Sequence, residues 1–242
     1  MTNLVEQESD VANPAPDYLE DAQGYLIHRF SKIPTPQEPL VLEFTNDKAL
    51  LHQYYLLRNQ MIGRYINAPI ATDDIYDKIS EVLIARRGNM VIGGCRLTIR
   101  EGDESFLLPI ETENFKIRDL FPNLPLNKER HAIISKFAII ESHKERDLLY
   151  DLCKIMFDRV VALDTRYIFA RATNYVIARN WRKIATIFGA INTTICEGID
   201  VPENPILPGQ KQYITFSDIS ELCQKEFPRI PVPTARKLEL VY

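Results

Sequence analysis

The stretch HAIISKFAIIESHKERDLLYDLCKIM (residues 131–156) changes periodicity once. From Ala132 to Ile140 it is apolar at nearly every position, interrupted by Ser135 and Lys136. A continuous apolar run of that length predicts a strand buried on both faces, in the middle of a sheet. From Leu148 onward the apolar residues recur at helical spacing, through Leu152 and Ile155 as far as Leu163. Between the two, Ser142 and Glu145 have the S-x-x-E spacing of a capping box, which opens a helix. A buried strand feeding a long helix implies that the next strand, RYIFARAT (166–173), is reached by a crossover.

Working outward, LVLEF (40–44) predicts a first strand. Asn46 is placed to cap a helix with Leu50, Tyr54, Leu57 and Met61 on one stripe, ending near Gly63. ISEVLIAR (79–86) and NMVIGGCRLTIR (89–100) predict a hairpin turning at Arg87-Gly88. Residues 101–130 show no period. After 173, Asn174 caps a helix with Ile177, Trp181, Ile184 and Phe188 on one face, closed by Gly189. INTTICEGI (191–199) and KQYITFSD (211–218) predict a final hairpin, and a short helix begins near 218. The order predicts an α/β fold, a mixed central sheet with helices on both faces.

The chain has 242 residues, 45% of them hydrophobic, enough for one sizeable domain with appendages. Residues 1–40 hold seven acids against Arg29 and Lys32, a balance of −5, while the whole chain carries −4. The body is therefore near neutral, which argues against a nucleic-acid binder. Residues 1–39, acidic and proline-containing, read as an arm with little structure of its own; residues 40–227 read as the main domain and 228–242 as a tail. Cys95, Cys153, Cys196 and Cys223 are far apart and read as free thiols, with no histidine at metal-ligand spacing, so no metal is expected. No secretory signal and no run long enough to span a membrane is visible, which makes cytoplasm the simplest compartment.

Arg96 sits after two glycines on an inner strand, where an unpaired charge is costly. Asp74 and Asp77, three apart in DDIYD (73–77), are its expected partners. Four motifs, in order, resemble one family. YYLLRNQMIGRY (54–65) is similar to its first-helix segment through Arg58, and DDIYD to its acidic motif. VIGGCRL (91–97) is similar to its glycine-arginine strand through Arg96, and LFPNLP (120–125) with IISKFAI (133–139) to its phenylalanine-proline motif and central E-x-S-R-F strand. The family is the acyl-homoserine-lactone synthases (autoinducer synthases) with their relatives, the N-acyl amino acid synthases, a branch of the Gcn5-related N-acetyltransferase superfamily. The likeness covers about residues 50–140, and beyond that rests on element order. Two positions depart from it. Ile133 stands where the family strand has a glutamate implicated in handling the amine, and Lys136 stands where it has arginine.

The resemblance implies a Gcn5-related N-acetyltransferase-like fold and an N-acyltransferase. The enzyme would move a fatty acyl group from a thioester to the amine of S-adenosylmethionine or of an amino acid, with no bound cofactor. Its donor, an acyl carrier protein or acyl-coenzyme A, would insert its pantetheine between the strands at 132–140 and 166–173. Ser135, Lys136 and Asp77 are then catalytic candidates, while Arg58, Asp74, Arg96 and Phe121 are expected to bind the small amine acceptor. The superfamily's phosphate-holding turn contains glycine so that backbone N–H groups can approach a pyrophosphate. Here the turn is ESHKER (141–146), without glycine and with Glu141 opposing an anion. That favours a carrier protein met by the basic set Arg146, Arg171, Arg179, Arg182 and Lys183. A non-catalytic lipid- or carrier-binding module, supported by the altered IISKF strand, and a coenzyme A-dependent acetyltransferase are the alternatives.

Overall fold

The structure, a computed structural model, describes residues 18–20, 26–28, 38–66, 74–102, 106–140, 146–201 and 211–224. By contacts the chain divides between Thr35 and Pro36. In the first unit, Tyr18–Glu20 (β1) and Leu26–His28 (β2) pair antiparallel, with Tyr18 opposite His28. The second unit is built on β3 (Leu40–Phe44), β4 (Glu81–Arg87), β5 (Met90–Arg100), β6 (His131–Ile139), β7 (Tyr167–Ala172), β8 (Asn192–Ile199) and β9 (Gln212–Asp218). They form one sheet in the order β3-β4-β5-β6-β7-β9-β8. The largely apolar strand at 131–139 is the fourth of the seven, as its composition suggests.

All neighbours are antiparallel except β6 and β7, which run parallel because α3 (Arg146–Ala162) carries the chain across between them. The sheet is therefore mixed, and helices cover both faces. On one face, Leu148, Leu152, Met156 and Val160 of α3 pack with Trp181 and Ala185 of α4 (Tyr175–Ile187) over Leu83, Leu97, Ile134 and Ile168. On the other, Tyr54 and Leu57 of α1 (Lys48–Ile66) pack over Val82, Ile84, Val91 and Ala138. Beside α1 the irregular segment 106–126 closes that face, with Leu108, Ile110, Phe115 and Ile117 buried against Ile133, Phe169 and Phe216. Within this segment Ile117–Leu120 forms the short helix α2, and near the end of the described chain Ser220–Gln224 forms α5.

Several boundaries differ from the sequence expectation. The cap of α1 is Asp47, one residue after Asn46: its Oδ1 accepts the N–H groups of Ala49 at 2.8 Å and Leu50 at 3.1 Å. The helix runs through Gly63 to Ile66, since a single interior glycine costs only about 1 kcal/mol. The first hairpin turns at Gly88-Asn89, with Gly88 at φ +54°, because Arg87 still pairs with Met90. In α4 Asn174 caps as expected, accepting the N–H of Ile177 at 3.0 Å, but Ile177 itself faces solvent. The buried positions are Ala178, Trp181 and Ala185, whose small side chains let the helix lie close to the sheet. The last two strands do pair, with β9 inserted between β7 and β8. The capping box at Ser142 and Glu145 and the tail 228–242 lie outside the described residues, as does most of the arm.

The glycine pair at 93–94 has a packing reason. A Cβ on Gly94 would stand 2.8 Å from the Tyr54 ring and 2.7 Å from the Leu83 carbonyl oxygen. Only a bare backbone lets α1 seat Tyr54 on the sheet, where its hydroxyl donates to the Lys136 carbonyl at 2.7 Å. Gly94→Ala is therefore expected to destabilise the domain by about 1–3 kcal/mol in urea unfolding, by forcing the helix off the strand. An unchanged midpoint would show that Tyr54 has room to retreat.

Candidate active site

Asp77 is the centre of a buried charge cluster. Its Oδ1 accepts from Arg58 Nη1 at 2.8 Å and Arg96 Nη1 at 2.9 Å. Its Oδ2 accepts from Arg58 Nη2 at 2.9 Å and from the Asp74 N–H at 2.9 Å. Four donors thus occupy the four lone-pair positions of a carboxylate that is 3% exposed. Burial by itself would raise the Asp77 pKa; hydrogen bonds from Arg58, the Asp74 N–H and Arg96 hold it below its ordinary value instead. A saturated anion of this kind has no face left for a proton or a substrate. Asp77, expected among the catalytic residues, here accepts from Arg58 and Arg96 at once and fixes both in place.

The D-x-x-D spacing works through a 3₁₀ turn at Ile75–Lys78. Asp74 caps it, its Oδ1 accepting the Tyr76 N–H at 3.0 Å, while Asp77 reaches back to the Asp74 N–H. The same Asp74 Oδ1 accepts from Arg96 Nη1 at 2.5 Å. Aromatic rings complete the cradle: Arg58 lies 4.8 Å from the Tyr55 ring centroid and Arg96 5.5 Å from that of Tyr76. The structure brings Arg58, Asp74, Asp77 and Arg96 together in the pattern their spacing suggested.

Ser135 and Lys136 stand where β6 leaves its neighbours. The ladder between β6 and β7 ends at Ile133 opposite Phe169, although β6 continues to Ile139 and β7 to Ala172. On the β5 side the register shifts, with Gly94 opposite Ala138 but Arg96 opposite Ser135. The extra residue in β6 is a bulge, and Lys136 adopts φ +59° within it. The Tyr54 hydroxyl on the Lys136 carbonyl holds that conformation. Lys136 is 11% exposed, with Nζ 3.9 Å from Asp74 Oδ2. Burial, then the positive charges of Arg96 and Arg58, push its pKa down to about 8 against the opposing pull of Asp74. The Ser135 Oγ is buried without a hydrogen-bond partner among the described residues, as are Nε and Nη2 of Arg96.

Arg171, grouped in sequence with the basic residues of the carrier dock, is separated from them by the structure. It lies two residues past Phe169 on β7, on the same face, as Ser135 lies two past Ile133 on β6. Burial, then the charge of Arg96, lowers its pKa to about 10, and no described carboxylate pairs with it. The alternation in YIFARA, with Tyr167, Phe169 and Arg171 in phase, is the signal that marks it, by the same logic that marks Arg96. Tyr54 and Tyr76 gave no comparable signal. Nor did Glu111, which accepts from Arg100 at 2.7 Å and from the Leu108 and Ile117 N–H groups, each at 2.9 Å, pinning the irregular segment to β5.

Phe121 is partly buried and packs on Phe216 at 5.1 Å and Phe169 at 5.5 Å between ring centroids, in the aromatic wall beside Arg171. Arg179, Arg182 and Lys183 are exposed on α4, on the opposite side of the sheet. The turn 141–145 and the Arg146 side chain lie outside the described residues. All four cysteines are free, and burial raises each thiol pKa, to about 12 for Cys153 and about 11 for Cys223. Among the described residues no group of three potential metal ligands occurs, and no helix is long and apolar enough to cross a membrane.

No protein-family model matches the chain, and none of the curated proteins compared is significantly similar to it in sequence. Solved structures share its fold. The acyl-homoserine-lactone synthase LasI superposes with a TM-score of 0.53 at 14% identity, covering 75% of this chain and 90% of LasI. FeeM, an N-acyl amino acid synthase from uncultured soil microbes, gives 0.54 at 9% identity, covering 78% and 94%. BjaI, a coenzyme A-dependent acyl-homoserine lactone synthase, gives 0.50 at 15% identity, covering 74% and 80%. The Gcn5-related N-acetyltransferase-like fold implied by the sequence is thus the fold observed, and the likeness is to acyltransferases.

The cluster makes a direct energetic prediction. Arg96→Ala or Asp77→Ala alone leaves a buried charge short of partners and is expected to cost about 3–5 kcal/mol. In a double-mutant cycle read by urea unfolding, the pair should cost at least about 1 kcal/mol less than the sum. Additive losses would mean that the two side chains are energetically independent.

Proposed function

We propose that the chain is an N-acyltransferase that moves a fatty acyl group from a carrier thioester to the amine of an amino acid. The observation that carries this reading is the open edge of β6. Past Ile133 the strand has no β7 partner, and the unpaired Ser135 hydroxyl and Lys136 lie along that edge. A pantetheine arm running between the two strands would lay its thioester carbonyl against backbone N–H groups of β6. Those groups and the Ser135 hydroxyl would stabilise the oxyanion.

The amine lone pair attacks the thioester carbon, forming the C–N bond. Collapse of the tetrahedral intermediate breaks the C–S bond and releases the pantetheine thiolate, which is then protonated. The proton lost by the amine goes to neutral Lys136. With Ile133 in place of a glutamate, Lys136 is the titratable group at the open edge whose pKa lies nearest neutrality. Asp77 and Asp74 act through the arginines they hold. The choice of acceptor rests on charge. Among the described residues, Arg58, Arg96, Lys136 and Arg171 face the carboxylates of Asp74 and Asp77 in mutual electrostatic reach, four cations to two anions. S-adenosylmethionine, the other acceptor implied by the resemblance, would add a sulfonium to that positive excess. An amino acid would not, and with it the reaction ends at the amide.

Purified protein supplied with acyl carrier thioesters and single amino acids is expected to release free thiol in step with N-acyl amino acid. Binding of the acyl carrier without turnover for any acceptor would leave the non-catalytic module as the function. Because the neutral amine of Lys136 is the active form, kcat/KM should rise as pH climbs through about 8 and then level off. Lys136→Met should cost about 100-fold or more and remove that limb. The limb persisting in the variant would assign the titration to another group.

The donor is the second half of the proposal. On α4, Val176, Arg179, Lys183 and Ile187 are all exposed and recur at helical spacing. Basic and apolar side chains on one stripe suit an acidic carrier helix with an apolar ridge. Acyl carrier protein is therefore expected to be a better donor than coenzyme A bearing the same acyl group. Raising ionic strength, or Arg182→Glu with Lys183→Glu, should erode that advantage. Equal efficiency of the two donors at every ionic strength would return the preference to coenzyme A-type donors.

A further inference from the structure

The charges on the open face do not balance, and the imbalance has a location. Arg58 and Arg96 share Asp77, and Arg96 shares Asp74 as well. Lys136 has Asp74 at 3.9 Å. Arg171 alone of the four cations has no carboxylate among the described residues, although it is more than half covered and sits within electrostatic reach of Arg96 and Lys136. A poorly solvated guanidinium held near two other cations is unfavourable unless an anion joins it. Three further donor atoms on the same face are left open among the described residues: Nε and Nη2 of fully buried Arg96 and the buried Ser135 Oγ. Unsatisfied buried donors in a native fold mark a place where a partner belongs.

We propose that Arg171 is the anchor for the acceptor's carboxylate, gripping it beside the β6–β7 opening so that the amine on the adjacent carbon faces Lys136. A guanidinium suits this task because its planar fork takes a carboxylate through two parallel N–H···O bonds. The position is right for it. Ser135 and Arg171 each lie two residues beyond the last ladder pair, Ile133–Phe169, on the same face of their strands. An anion at Arg171 therefore lies across the opening from the strand that would hold the thioester. The neighbouring wall of Phe121, Phe169 and Phe216 is aromatic, so the acceptor side chain that fits there is apolar. This inference rests on the proposed acyl transfer and adds to it the group by which the acceptor is chosen.

The test compares phenylalanine with phenethylamine, the same amine without its carboxylate, using one acyl carrier donor. The native protein should favour phenylalanine by about 10- to 100-fold in kcat/KM, the scale of a charge-assisted hydrogen bond. In Arg171→Gln that ratio should fall toward 1, chiefly through KM for phenylalanine, and Arg171→Lys should restore part of it. A native preference that survives in Arg171→Gln, or no native preference at all, would overturn the assignment while leaving acyl transfer intact. Calorimetric binding of N-decanoyl-phenylalanine against N-decanoyl-phenethylamide provides a readout that does not depend on turnover. Tighter binding of the acid, lost in Arg171→Gln, upholds the carboxylate anchor even if no amine is acylated. Equal binding of the two by the native protein rejects it. Loss of both ligands together in Arg171→Gln would make the residue part of the acyl or donor channel and also reject it.

Discussion

One carboxylate, Asp77, holds the site in register. It accepts hydrogen bonds from both Arg58 on α1 and Arg96 on β5, and it comes from a loop that belongs to neither. Replacing such a buried cluster with apolar side chains of similar volume often leaves stability unchanged or improved. Stability alone therefore does not account for spending three buried charges here. What the cluster gives is fixed placement: a helix, a strand and a turn are locked at one point, and Arg96 keeps Nε and Nη2 without a partner among the described residues. Burial, then the field of Arg96 on both and of Arg58 on Lys136, lowers the proton affinity of Lys136 and Arg171.

The second constraint is geometric. A sheet that paired fully would leave no backbone group free for a ligand. Here β6 pairs with β7 only from His131 to Ile133, then diverges, and its bulge at Lys136 alters the phase in which its side chains emerge. The bulge in turn depends on α1, through the Tyr54 hydroxyl, and α1 can come that close only over Gly94. Helix seating, strand bulge and lysine environment are thus one linked arrangement, assembled from residues more than eighty positions apart in sequence.

Much of this was readable because period and charge conflict with burial in visible ways. A nearly continuous apolar run placed β6 at the centre of the sheet, and a charge in phase with apolar neighbours marked Arg96 and pointed to the aspartates. Boundaries were less readable where two residues compete for one role, as Asn46 and Asp47 do for the cap of α1. Ile177 misled because alanines at 178 and 185 set how closely α4 approaches the sheet, and small residues carry little weight in a hydrophobic pattern. Arg171 was grouped with basic residues of α4 that face the other way; only the strand boundary separates the two groups. Glu111 lies in a segment without periodicity, where no pattern exists for a buried acid to break. The role of Asp77 turned on saturation of its lone pairs, which depends on three-dimensional approach and not on spacing.

The four cysteines acquire a meaning from the chemistry the open edge invites. A chain that admits thioesters risks intercepting them, since any nearby thiolate would take the acyl group onto itself and stall. Burial raises the pKa of every one of these thiols, so none presents a thiolate at neutral pH. Cys95 illustrates the arrangement: it sits on β5 one residue from Arg96, yet strand alternation turns it to the α3 face, beside Cys153 in the apolar core. The sheet stands between the open edge and the sulfurs of Cys95 and Cys153, whereas Cys196 packs on the aromatic face and has burial alone to hold its thiol protonated.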